Sequence, residues 1–198
     1  MQNRFGFRLA RPLAAAALVL AVLAVAAQPV EVEGVKLEPV AQVGAATLQL
    51  NGAGVRTRLV FKVYVAGLYM PQKAREAAAL LAQNGARRIA ITMLRNVDAQ
   101  TFSGALDEGL RNNHSEAQLT AMTAQIDALN ANLKAVGEAK KGEVIHFEFV
   151  PDVGTRVTVN GQPRGTVIPG EDFFTAVLRV WLGDKPVDAG LKKALVGG

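Results

Sequence analysis

The sequence predicts an α+β domain, one antiparallel sheet covered by helices. Three observations carry this. Strand-like runs of period two come in hairpin pairs on both sides of the middle of the chain. The helical patterns stand together between and after those pairs and do not alternate with single strands. No internal repeat or linker divides the sequence, and 198 residues suit one domain.

Taken in order, residues 28–40 (QPVEVEGVKLEPV) alternate loosely around two prolines and read as an extended lead-in or edge strand. The run 46–70 reads as strand, turn and strand, with Asn51-Gly52 as the tight turn because both residues tolerate positive φ. Its second half is rich in Val, Phe and Tyr, and Pro71 ends it. Residues 73–83 predict a short helix with Gly85 just past it, and 87–94 a further strand. Asp98 is placed to cap a helix over DAQTFSGALDEGLRNN. Ser115 and Gln118 have capping-box spacing for a longer helix, whose Leu119, Met122, Ile126, Leu129 and Leu133 form an apolar stripe. EVIHFEFV puts Ile145, Phe147 and Phe149 on one face and Val144, His146 and Glu148 on the other. TRVTVN is the next strand, Asn160-Gly161 opens a turn, and GTVI is a short strand. GEDFFTAVLRVWLG is a helix closed by Gly183, and Asp188 caps a last short one.

The first 27 residues stand apart. Arg4, Arg8 and Arg11 precede an apolar run, Leu13–Ala27, that ends in small residues, with Ala24-Val25-Ala26 fitting a cleavage site. This is the pattern of a secretory signal peptide over residues 1–27, with a domain over 28–198. The expected location is the periplasm or outside the cell, with membrane contact only through the signal segment. The formal charge of +5 falls to +2 without those three arginines, so a nucleic-acid partner has no electrostatic support. There is no cysteine, which excludes disulfides and thiolate metal sites.

Catalytic and cofactor signatures are missing. NGAG precedes a strand and lacks the spacing of a phosphate-binding loop. His114 and His146 have no histidine at ligand spacing, so no metal and no cofactor are expected. The only serines, Ser103 and Ser115, lie outside any nucleophile elbow. His114 is placed at a helix end, where a cation helps the dipole.

Two segments carry a resemblance. Gly52-Ala53-Gly54-Val55-Arg56, then Lys62 and Gly67-Leu68-Tyr69, resemble the opening strands of the chalcone isomerase family. GTVIPGEDFFTAVLRVWLGDKPVDAGLKKALVG is similar to its closing segment. The resemblance spans roughly residues 35–198 and looks nearest to exported bacterial chalcone isomerase-like proteins. It implies an open-faced β-sandwich, an antiparallel sheet with helices layered on one face and a cleft between them. It also implies that Arg56 stands at the polar end of that cleft and receives negative charge. Counting alternate residues without a bulge puts Arg56, Arg58, Val60, Lys62 and Tyr64 on one face and Thr57, Leu59, Phe61, Val63 and Val65 on a core face. Arg58 and Lys62 then read as edge-strand charges that deter aggregation.

The functional expectation is a binding module for a small apolar carboxylate such as a fatty acid, held by Arg56 with Tyr64 and Thr92 adding hydrogen bonds. The alternatives are an intramolecular lyase of the chalcone isomerase type, acting on a flavonoid-like ligand, and a non-catalytic envelope interaction protein. The helix tyrosine that the family's plant isomerases use corresponds to Phe102 here, and Gly109 falls where they carry an asparagine. That weakens the enzymatic expectation.

Overall fold

The computed structural model describes residues 28–198; the signal-like segment lies outside the described residues. Nine strands and six helices follow in chain order. They are β1 (Val30–Val32), β2 (Val35–Leu37), β3 (Val40–Val43), β4 (Ala46–Arg58), β5 (Phe61–Met70), α1 (Ala77–Leu81) and β6 (Arg87–Met93). Then come α2 (Ala99–Asn113), α3 (Glu116–Ala121), α4 (Thr123–Val136), β7 (Val144–Val150), β8 (Gly154–Val159), β9 (Gln162–Ile168), α5 (Glu171–Leu182) and α6 (Ala189–Leu195). Strands β3 to β9 form one antiparallel sheet whose spatial order is the chain order. β1 and β2 form a separate two-stranded ribbon.

Helices cover one face of the sheet. Leu68, Met70, Ile89, Ile91, Phe147 and Val157 meet Leu106, Leu129, Phe173, Phe174 and Trp181 there, all buried. Alternation sends the intervening residues to the other face. Val65, Tyr69 and Ala90 join Leu37, Val43, Leu48 and Leu50 in a smaller core under the β1–β2 ribbon. The sheet curls, so that the β3 end reaches back to β6: Arg88 donates to the Gln42 carbonyl at 2.7 Å. This is the open-faced α+β architecture the sequence implied.

The predicted caps are present. Asp98 accepts from the Thr101 N–H at 2.8 Å, and Asp188 from that of Leu191 at 2.9 Å. Ser115 and Gln118 form a full capping box, but the helix they open ends at Met122, and the apolar stripe continues in α4. α1 is shorter than predicted, Ala77–Leu81.

The turn at Asn51-Gly52 requires correction. Both residues lie inside β4, and the hairpin closes at Leu59-Val60, between the paired residues Arg58 and Phe61. Asn160-Gly161, the same dipeptide, does turn, with φ of 50° and 78°. The difference lies in what packs above. At Asn51 the register shifts as Leu50 pairs with Tyr69 and Gly52 with Leu68, which is a β-bulge. The Asn51 side chain donates to the Leu195 carbonyl at 2.7 Å and accepts from the Ala74 N–H at 2.8 Å. A Cβ on Gly54 would lie 2.6 Å from that of Ala194, and one on Gly52 would strike the α6 backbone. These glycines serve close approach of a helix to a strand, not a turn.

On the ribbon side of the sheet, buried Glu148 accepts from Arg88 at 2.6 Å and Arg156 at 3.1 Å, with His146 at 3.5 Å. Burial alone would raise its pKa, but hydrogen bonding and charge from His146 and Arg88 more than offset this and hold the carboxyl below its ordinary value. A depressed folded-state pKa means that the stabilisation is complete above the unfolded value of 4.5 and fades as pH falls below it. Acid titration of the unfolding free energy is therefore expected to be shallower in Glu148→Gln than in wild type below that pH. Parallel curves would show that Glu148 does not contribute to acid sensitivity.

Candidate functional site

The site begins with a second bulge. Arg56 pairs with Tyr64, but Thr57 pairs with Lys62, so Val63 is an extra residue in β5. The bulge turns Val63 and Tyr64 together into the helix-side core. It also re-aims the hairpin beyond. Phe61 comes to the helix side with Arg58, while Lys62 swings to the ribbon and holds both oxygens of Glu33 at 2.7 Å. The unbulged alternation was therefore right for Arg56, Arg58 and Tyr64. It was wrong for Lys62, and for Leu59 and Phe61, which are exposed; Val63 is core as expected, but on the helix side with Arg56 and Tyr64. Val65 stays on the ribbon face.

α2 supplies the opposite wall. Its buried stripe is Phe102, Leu106 and Leu110. Thr101, Ala105, Glu108 and Asn112, at spacings of three and four, face the hairpin instead. Gly104 has nothing within 4 Å of a Cβ position, so this side of the helix leaves room. Two hollows result. One, of about 450 Å³, is lined by the Arg56–Arg58 strand end, the polar side of α2 and Lys185–Val187. The other, of about 300 Å³, is lined by Leu59, Phe61, Val63, Val97 and Phe102, with Arg58, Arg95 and Asp98 at its rim. Arg56, Arg58, Thr101 and Ala105 line both, so Arg56 stands between a polar and an apolar compartment.

Arg56 is half-buried, and its Nε is buried with no hydrogen-bond partner among the described residues. Its guanidinium carbon lies 5.6 Å from the centre of the Tyr64 ring. Asp188, the nearby acid, is occupied by main chain: it accepts from the Thr57 and Leu191 N–H groups, each at 2.9 Å.

Tyr64 is fully packed below Arg56, and its hydroxyl accepts from Trp181 Nε1 at 2.9 Å. Burial pushes its phenol pKa up, against the pull of the Arg56 charge. The space between Tyr64, Phe102 and Trp181 is only about 10 Å³, room for about one water. The space behind Tyr64 is therefore filled, and the two hollows that Arg56 lines lie at the hairpin end. Thr92 is not part of this site. It pairs with Val65 and faces the ribbon side, while its neighbours Ile91 and Met93 face the helices. A strand prediction without the bulges could not assign its face.

Sequence reasoning missed Arg95, Val97, Thr101 and Asn112, which no motif marks, and the bond from Trp181 to Tyr64. The histidines stand apart: His114 ends α2, with Nδ1 2.8 Å from the Leu110 carbonyl oxygen, and His146 is on β7. Among the described residues, no three acidic or imidazole groups converge to hold a metal.

Comparison with known proteins agrees with this architecture. A chalcone isomerase-like family model matches residues 29–197. No curated protein matches the chain. Among solved structures, a fatty-acid binding protein of Arabidopsis thaliana is similar, with a TM-score of 0.64 over 85% of this chain and 96% of that one, at 12% identity. At that identity the likeness is one of fold. The match spans the sheet, the helices and both walls of the Arg56 site, and the chain belongs to the chalcone isomerase-like family.

Proposed function

We propose that the protein binds a small amphiphilic acid, with its carboxylate on Arg56 and its apolar part along the groove walled by Phe61, Val63, Val97 and Phe102. The observation that supports this reading is the Arg56 side chain, half-buried at the junction of the two hollows with no carboxylate paired to it among the described residues. The terminal nitrogens of that guanidinium have no ion-pair partner among the described residues, and a carboxylate meeting them forms a charge-assisted hydrogen bond in a partly dehydrated place. A fatty acid, the ligand class named for the Arabidopsis protein, has this two-ended chemistry. Volumes of about 450 and 300 Å³ fall in the range of small-molecule sites. Because the space behind Tyr64 is filled, the chain of such an acid lies in the groove beside α2 and not under the sheet. Tyr64 is a positioning residue that supports Arg56 from below; Thr92 takes no part.

The groove favours retention over proton transfer. Thr101, the α2 hydroxyl in both hollows, donates its hydrogen to Asp98 at 2.7 Å, and burial of the Tyr64 hydroxyl raises its pKa and holds its proton. The reading includes export, on the strength of the segment before residue 28.

Medium-chain fatty acids at about a hundred times Kd are expected to add about 2.7 kcal/mol, a rise in Tm of roughly 5–10 °C. Arg56→Ala is expected to remove the rise while leaving the ligand-free Tm nearly unchanged. Equal shifts from the methyl esters, or a full shift in Arg56→Ala, would sink the proposal. Intact-mass spectra of protein from the producing cells read export separately: a chain that keeps residues 1–26 counts against it.

A further inference from the structure

The β4–β5 hairpin tip is the most exposed apolar feature among the described residues. Leu59, Val60 and Phe61 are 89%, 83% and 54% exposed and follow one another in sequence. The other large exposed apolar side chains, such as Val40 and Val153, stand singly, which is ordinary for a surface. A second observation concerns the backbone. Leu59 has φ of 56° at the first position of a two-residue turn, a place that Gly fills without strain. The turn therefore carries steric strain and wetted apolar area together, and neither is returned by any contact inside the domain.

The charges around the tip are mostly of one sign. Arg58 and Arg95 flank it, and the Arg95 guanidinium carbon lies 4.8 Å from the centre of the Phe61 ring. Neither arginine has an ion-pair partner among the described residues. Arg56 lies just behind, and Lys62 is neutralised by Glu33. The facing acid, Asp98, is engaged by Thr101. Apolar residues at a projecting point with free cations behind them match the layering of an anionic bilayer, where acyl chains lie below phosphates. A protein partner would need a wider flat surface than three residues offer.

We propose that this hairpin tip is a membrane-docking element. Leu59, Val60 and Phe61 enter the interfacial layer of a bilayer rich in anionic lipid, and Arg58 and Arg95 meet its phosphates. This departs from the expectation that only the signal segment meets a membrane. It does not depend on the ligand reading, because it stands on the tip's exposure, strain and charge. No helix of the described residues is long and apolar enough to cross a membrane, so the contact is peripheral.

The test uses residues 28–198, which contain the whole sheet, both cores and the family match, so that the N-terminal apolar run cannot itself bind lipid. The probe is sedimentation with phosphatidylcholine vesicles, with or without about one-third phosphatidylglycerol, in the absence of any added acid. Wild type is expected to partition at least about tenfold better onto the anionic vesicles, and to come off as salt rises from about 0.1 M to about 0.5 M. Leu59→Gly combined with Val60→Ser, which leaves the groove walls Phe61, Val63, Val97 and Phe102 in place, is expected to lose at least about tenfold in partitioning with no loss of Tm, since the glycine relieves the strained turn. In Val60→Trp, the new indole is expected to be quenched by brominated lipid, whereas Trp181, buried in the core, is not. Failure to bind, equal binding to both vesicle types, or binding unaffected by the double substitution each overturns the proposal. A wild-type dimer that the double substitution dissolves would assign the tip to self-association and overturn it too. The fatty-acid response, measured without vesicles, is independent of all these outcomes.

Discussion

Trp181→Ala is expected to destabilise the protein by about 4 kcal/mol, the middle of the range for emptying an aromatic site in a packed core. Trp181 is almost wholly buried, lies 6.0 Å from Phe147 ring to ring, and donates to the Tyr64 hydroxyl. Removal leaves a cavity and strips the phenolic oxygen of its donor. Trp181→Phe separates the two effects and is expected to cost about 1–2 kcal/mol, chiefly the lost hydrogen bond. Because Trp181 is the only tryptophan, unfolding in urea has to be followed by far-ultraviolet circular dichroism. Tyr64→Phe and the double substitution complete a cycle, with a coupling of about 1 kcal/mol expected. Additive effects would mean that the bond contributes nothing. Tyr64 also supports Arg56, so Trp181→Phe is expected to weaken the response to acids as well.

The second large effect lies at the opposite end of the sheet. Arg87 is fully buried between Phe149 and Phe174, its guanidinium carbon 5.6 and 5.4 Å from their ring centres. It donates to Thr175 Oγ1 at 2.9 Å and to Glu171 Oε1 at 3.0 Å. Burial pushes its pKa down, and Glu171 and Asp172 oppose that. Glu171→Ala strands this cation and also frees the Gly85 N–H that Glu171 holds at 2.6 Å. About 3 kcal/mol of destabilisation is expected, the low end for a broken buried pair because Glu171 is itself partly exposed. Arg87→Met with Glu171→Leu is expected to return to within about 1 kcal/mol of wild type, since an apolar pair needs no compensation. A single substitution costing under about 1 kcal/mol would mean that solvent already screens the pair.

Much of this architecture could be read in the chain. The alternation of Ile145, Phe147 and Phe149 against His146 and Glu148 is the alternation the sheet uses. Asp98, Ser115 and Asp188 act locally, through backbone atoms three residues away, so their positions were legible without the fold. What could not be read depends on contacts distant in sequence. Asn51-Gly52 has the chemistry of a turn, and only α6, more than a hundred residues later, makes it a bulge. The bulge at Val63 leaves no trace in a pattern of apolar residues, yet it decides that Phe61 faces the groove and Lys62 does not. Arg56 was found through its motif. Its surroundings were not, because Thr101, Asn112 and Arg95 are unremarkable on a helix face and in a loop. Thr92 was assigned to the site for want of a fixed register.

The clasp between α6 and β4 has a consequence for how the molecule comes together. Consecutive strands are neighbours in the sheet, so the tight hairpins β4–β5, β7–β8 and β8–β9 close at little cost in chain entropy, while β6 and β7 meet only across α2–α4. The glycine-lined side of β4 stays bare longest, after α5 has covered the other strands, until Leu191 and Ala194 arrive. A nascent polypeptide therefore holds a wet, incomplete flank on the strand that carries Arg56 until synthesis has passed residue 195.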